Sequence, residues 1–182
     1  MKLKTLLIVL TLGTSGLVMA APTHDEDLAR YLNECREMAM DTANTAADLV
    51  RSPLTSQEFK KSFEVRFADA QYVSYAAECY SYTGGAHGMT EVTVGTLNRK
   101  TGQKVSVKAL VPADKMDALK QALRDGAIQR LGGEEHLQGE VALTENFYIA
   151  ADGLHFIYNP YEIACYAKGV VEVVIPFKTL GL

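Results

Sequence analysis

The spacing of apolar side chains divides the chain into stretches of different period. Thr23 and Glu26 form a capping-box pair, and behind them Leu28, Tyr31, Leu32, Cys35, Met38, Thr42, Ala46 and Leu49 follow mainly in steps of three and four. That is one face of a helix, running to about Val50 and stopped by Ser52-Pro53. Thr55 with Glu58 repeats the capping pattern and predicts a short turn. The period then changes to two. Phe63, Val65 and Phe67 alternate with Glu64 and Arg66, and Val73, Tyr75, Ala77 and Cys79 continue the alternation beyond a turn at Ala68-Asp69-Ala70. Three glycines between Thr83 and Gly88 interrupt it, Thr90 to Asn98 resumes it, and Lys100-Thr101-Gly102 turns the chain into a further strand, Lys104 to Val107.

A second helix begins near Ala113. Met116, Leu119, Leu123, Ala127 and Leu131 mark its buried face, and Gly132-Gly133 ends it. Glu134 to Thr144 is polar and reads as loop, and Phe147–Ala150 with Leu154–Tyr158 reads as a hairpin around Ala151-Asp152-Gly153. Asn159-Pro160 breaks the pattern. Val170 to Phe177 is nearly continuous in apolar residues, which predicts a central strand covered on both faces. The order predicts an α+β fold: an antiparallel β-sheet with two long helices packed on it. It is read as a single domain over residues 21–182, with a helical part over 23–61 and a core over 62–182.

Composition adds a compartment and removes some partners. Lys2 and Lys4 precede an uncharged apolar run from Thr5 to Val18, and Val18-Met19-Ala20 supplies a cleavage site, so residues 1–20 read as a signal peptide. The run is too short to span a hydrocarbon core of ~30 Å as a helix. The expected location is periplasmic or secreted. Loss of Lys2 and Lys4 takes the formal charge from −4 to −6, and no basic stripe exists, so nucleic acid is a poor partner and a cationic one a better fit. Cys35, Cys79 and Cys165 match no zinc spacing; in an oxidising compartment one pair could be bridged, or all three could be buried thiols.

Signals for catalysis are weak. His24, His87, His136 and His155 do not pair at helical or strand spacing, so neither a metal nor a cofactor is expected. No serine sits in a nucleophile elbow. General acid–base work by His87 with Glu162 requires two loops to meet. Two segments stand out instead. Tyr80-Ser81-Tyr82-Thr83-Gly84-Gly85-Ala86-His87-Gly88 combines rigid aromatic area with backbone that can approach a partner closely. Asn159-Pro160-Tyr161-Glu162-Ile163-Ala164-Cys165-Tyr166-Ala167-Lys168 does the same around a proline. The plainer readings are a tight turn for the first and a sheet-closing crossover with core tyrosines for the second.

These two segments, with Lys100-Thr101-Gly102 and Asn146-Phe147-Tyr148…Asp152-Gly153-Leu154 between them, resemble the RsiV-like family, which carries the paired domains of unknown function 4163 and 3298. The likeness covers roughly Phe63 to Leu180. It implies an exported, non-catalytic binding domain whose protein partner is lysozyme or another cell-wall hydrolase. By the same likeness the contact residues are Tyr80, Tyr82, Thr83, Gly84, Gly85, His87, Asn159, Tyr161, Glu162 and Tyr166. Cys165 stands where that family usually has proline and Cys79 where it usually has an apolar residue, and the two departures together favour a Cys79–Cys165 bridge. The sigma-binding part and membrane helix of the anti-sigma members have no counterpart here. A periplasmic immunity protein and a peptidoglycan-acting enzyme using His87 are the competing expectations.

Overall fold

A computed structural model describes residues 58–181, together with Asn33, Arg36 and Glu37. Those three are helical and exposed, and the Asn33 amide donates to Glu37 Oε1 one turn on, at 3.1 Å. The rest of the expected first helix, the leader segment and Cys35 lie outside the described residues. Among the described residues no helix is long and apolar enough to cross a membrane.

The strands form two antiparallel three-stranded sheets rather than the one expected. The first contains β1 (Glu58–Ala68), β2 (Tyr72–Tyr82) and β3 (Met89–Asn98), in that order. Its first turn forms where predicted, because Asp69 Oδ1 accepts the N–H groups of Gln71 and Tyr72, both at 2.7 Å. β1 is longer than its alternation implied. It begins at Glu58, so residues 58–61, expected in the helical part, are strand, while Thr55 of the expected turn lies outside the described residues. Pairing with β2 explains this, since Glu58 lies opposite Tyr82 and Phe59 opposite Ser81. Arg66 is the extra residue of a bulge, where the register shifts between Val65 and Phe67.

The predicted strand at Lys104–Val107 shrinks to one bridge, Leu97 to Lys104. Val105 N–H still reaches Thr96 O at 2.8 Å, but Val107 N–H turns away to Glu145 Oε2 at 3.1 Å and opens a one-turn helix, α1 (Val107–Leu110). The long helix α2 (Met116–Leu131) then buries Leu119, Leu123, Ala127 and Leu131 at four-residue intervals, as expected. Gly132 at φ 87° ends it in the left-handed region, with Ile128 O accepting from both Gly132 and Gly133. Among the described residues it is the one long helix.

The second sheet has the order β4 (Phe147–Ala150), β5 (Gly153–Tyr158) and β6 (Val171–Pro176), followed by a short helix, α3 (Phe177–Leu180). The hairpin forms as predicted. The apolar last strand does not take the central place: β5 does, with all six positions buried, while β6 lies at the edge and exposes Val174. One face of this sheet, with Phe147, Ile149, Leu154, Phe156, Val171, Val173 and Ile175, shares the main core with α2. The other meets the inner face of the first sheet, where Ala76, Val92 and Val94 pack with Tyr148 and Ile157.

Each sheet presents an edge at this junction, and each edge is satisfied by side chains of the other sheet. Asn146 Oδ1 accepts Val94 N–H at 2.8 Å while its amide donates to Val92 O at 2.8 Å. Asn159 Oδ1 accepts Val92 N–H at 2.7 Å. In return, buried Ser74 donates to Ile149 O at 2.7 Å and buried Thr96 accepts Ile149 N–H at 2.9 Å. Ser74 has one hydroxyl proton and gives it to Ile149, so Thr96 donates across the 2.8 Å gap to Ser74. Two strand edges are thereby covered without a continuous ladder.

Candidate functional site

The two segments singled out in the sequence meet at one rim of the first sheet. β2 delivers Tyr80 and Tyr82 to the rim, and Gly84 (φ 105°) and Gly85 (φ 98°) turn the chain through the left-handed region. Tyr82 O–H donates to Gly85 O at 3.0 Å and fixes the turn. Gly88 is required for a different reason: a Cβ there would strike the ring of Tyr80. The second segment docks on the first through Tyr166. Its hydroxyl donates to Gly88 O at 2.7 Å, and its ring stacks on His87 with centroids 3.7 Å apart at 19°. Tyr161 stands beyond it, 5.8 Å from the Tyr166 ring and 53 % exposed.

Tyr161 is also the one non-glycine among the described residues at positive φ, 73°. It is held there by a tight pair of turns, with Tyr161 N–H donating to Ala164 O and Glu162 N–H to Asn159 O. The outcome is a continuous run of rings, Tyr161–Tyr166–His87, with Tyr80 alongside and His87 and Thr83 exposed. Lys168 anchors the far end of the loop by donating to Leu131 O, at 3.0 Å, where the α2 carbonyls carry partial negative charge.

Other residues expected in this set act internally. Asn159 uses both arms of its amide on Val92, at 2.7 and 3.3 Å. Glu162 Oε2 accepts Asn159 N–H at 2.7 Å, and His87 Nδ1 lies 2.9 Å from Gly88 O, so each member of the proposed acid–base pair is engaged elsewhere. The Cys79–Cys165 bridge is not formed: both are free thiols, half-buried. Strand alternation is the reason. Cys79 shares its face with Lys61 and Glu91, opposite in register, whereas Cys165 belongs to the loop that docks by Gly88 on the Tyr80 side.

A second polar cluster went unmarked in the sequence. His155 is buried, and its ring stacks on Tyr148 at 4.6 Å. His155 Nδ1 lies 3.0 Å from Glu172 Oε1 and Nε2 lies 2.8 Å from Asp152 Oδ1. Both nitrogens can donate to carboxylates at once only when the ring is doubly protonated. Tyr148 O–H donates to the same Glu172 oxygen at 2.8 Å. Burial pushes the Glu172 carboxyl up, but the hydrogen bonds from Tyr148 and His155, with the charges of His155 and Arg66, bring it below its usual range. The hydrogen bond from His155 holds Asp152 low as well. Tyr148 is driven far above the ordinary phenol range, first by burial and then by Glu172. Asp152 is near in the chain, but Tyr148 and Glu172 come from the two neighbouring strands, and no local pattern announces their meeting at His155.

The combination of two antiparallel sheets and one long helix among the described residues defines an α+β fold, and comparison with known proteins refines it. Residues 107–178 match the family model of a protein of unknown function, DUF3298, and residues 20–90 match the model of the deacetylase PdaC. The chain therefore carries a DUF3298 family domain behind a PdaC-like segment. It is 25% identical to a DUF3298 family member from Bacteroides fragilis, with a TM-score of 0.63 over 84% of this chain and 64% of that one. A DUF3298 family protein from Pseudomonas aeruginosa shares the fold at 19% identity, with a TM-score of 0.59 over 68% of this chain and 60% of that one. The chain thus spans less than two thirds of either solved relative. None of the curated proteins compared with it matches. The rim draws one loop from each matched segment, since Tyr80–Gly88 falls within the first and Asn159–Lys168 within the second.

Proposed function

We propose that this protein is an exported, non-catalytic binding domain that holds a protein partner through the Tyr161–Tyr166–His87–Tyr80 rim. The observation that carries the reading is the stacking of His87 on Tyr166, which makes one aromatic surface from two loops 79 residues apart. Tyrosine rings offer large contact area at small entropy cost, and the glycine-turned backbone beside them leaves room for a partner. A basic cell-wall hydrolase of the lysozyme kind is the partner that the RsiV-like resemblance and the net negative charge both favour. The test is retention of lysozyme by the immobilised protein. Binding at low salt that weakens as salt rises is expected, and Tyr161→Ala should reduce affinity by about 1–2 kcal/mol without shifting the melting curve. No retention at low salt would remove this partner.

The PdaC match favours one second reading, a deacetylase activity. Release of acetate by the purified protein, measured against a heat-denatured control, separates the two.

A further inference from the structure

We propose that two copies of this chain pair antiparallel along β1, with Ser62 of each copy facing Ser62 of the other across a two-fold axis. In the sheet order β1 has β2 as its single neighbour, so among the described residues its outer edge pairs with no strand. It is eleven residues long, and none of its positions is buried. On its other side chains the odd face carries Val65 at 48 % exposure.

Charge chooses the occupant of this edge. The exposed side chains of one face are Glu58, Lys60, Ser62, Glu64 and Arg66, a row of negative, positive, neutral, negative, positive. Turned end for end, the row reads positive, negative, neutral, positive, negative. A second β1 running antiparallel about Ser62 therefore sets Lys60 against the partner's Glu64 and Glu58 against the partner's Arg66, each twice. Within one copy Lys60 already contacts Glu58, and Arg66 contacts Glu64, both at 2.6 Å, so the charges stand in the row the match requires.

The same row rejects neighbouring registers. A slip of two residues places Glu58 opposite Glu64 in one direction, or Lys60 opposite Arg66 in the other. Directly opposed like charges destabilise a strand pair, and opposed unlike charges favour it. Charged edges ordinarily keep strands apart. Here each charge would deter an unrelated strand and accept its own copy, an isologous arrangement. The bulge at Arg66 puts the Glu58–Arg66 contacts at the irregular ends of the ladder, so Lys60 and Glu64 form its central pairs, the ladder is short and the dimer reversible. Phe59 meets the partner's Val65 on the opposite face and covers its exposed side chain.

Sedimentation of the full protein at low salt over a range of concentrations reads this directly. A concentration-dependent dimer is expected. Lys60→Glu or Glu64→Lys alone should weaken it at least about tenfold, and the double reversal should restore it. Directly paired Cα atoms lie about 4.5–5.5 Å apart, within disulfide reach, so Ser62→Cys should cross-link two chains under mild oxidation. Lys60→Cys should not exceed the unmodified chain, since each Lys60 faces Glu64 of the other copy. These side chains are exposed, so circular dichroism should stay unchanged. A monomer at every concentration with no Ser62→Cys cross-link overturns the proposal, and a dimer indifferent to both single reversals overturns the register.

Discussion

The two sheets of this molecule have the same three-stranded antiparallel form, but they differ in residues and are used in opposite ways. Every position of β5 is buried, whereas none of β1 is. The second sheet is covered by α2 on one face and by the first sheet on the other, and Phe147 and Phe156 stack at 5.4 Å within its core. The first sheet has only its inner face against the rest of the described molecule, and it meets that neighbour through Ser74, Thr96 and the two asparagines as much as through apolar contact. Burial is concentrated in the second sheet and α2, and the margins left to the first sheet carry the rim and, among the described residues, an outer edge paired with no strand.

The sharpest way to break this contrast is to empty the second sheet. Phe156→Ala removes a fully buried ring and should destabilise by about 3–5 kcal/mol in urea unfolding, while Val65→Ala on β1 should stay within about 0.5 kcal/mol. Equal costs would erase the distinction. The next effect concerns the junction. Asn146→Ala leaves Val94 N–H and one bond to Val92 O without their partner and should cost about 1–3 kcal/mol. Faster hydrogen exchange at Val94 than at β5 amides would locate the loss.

The smallest effect is a pH dependence. Glu172 and Asp152 are both held below the usual carboxylate range in the folded chain. A lowered carboxyl contributes stability that is present above its unfolded value and lost as pH falls through the folded one. Stability should therefore decline on acidification below about pH 4, and Glu172→Gln should flatten that decline. An unchanged acid limb would show that the His155 cluster adds nothing there. The contribution is small because Asp152 is largely exposed and Glu172 partly so.

Local patterns carried most of the element order. The four-residue spacing of Leu119, Leu123, Ala127 and Leu131 is a property of one segment, and so is the hairpin turn at Ala151-Asp152-Gly153. Placement of strands within sheets was not legible, because it depends on pairs far apart in the chain. Val171–Pro176 looks central by composition, yet it lies at an edge whose inward face is taken by α2. The rim was legible as two unusual segments, and their meeting was not, since nothing near Gly88 announces Tyr166. Asn146 and Asn159 bracket the hairpin in plain sight. Their use as edge caps follows only from where β3 ends up.

The reciprocal capping of edges has a bearing on synthesis. Residues 58–98 leave the ribosome ahead of the second sheet, and they can zip into a pair of hairpins before residue 146 exists. Until the later asparagines arrive, Val92 and Val94 offer bare backbone to any passing strand. A nascent chain halted near Gly139 would thus be sticky along β3, and completion of the last forty residues is what closes that window.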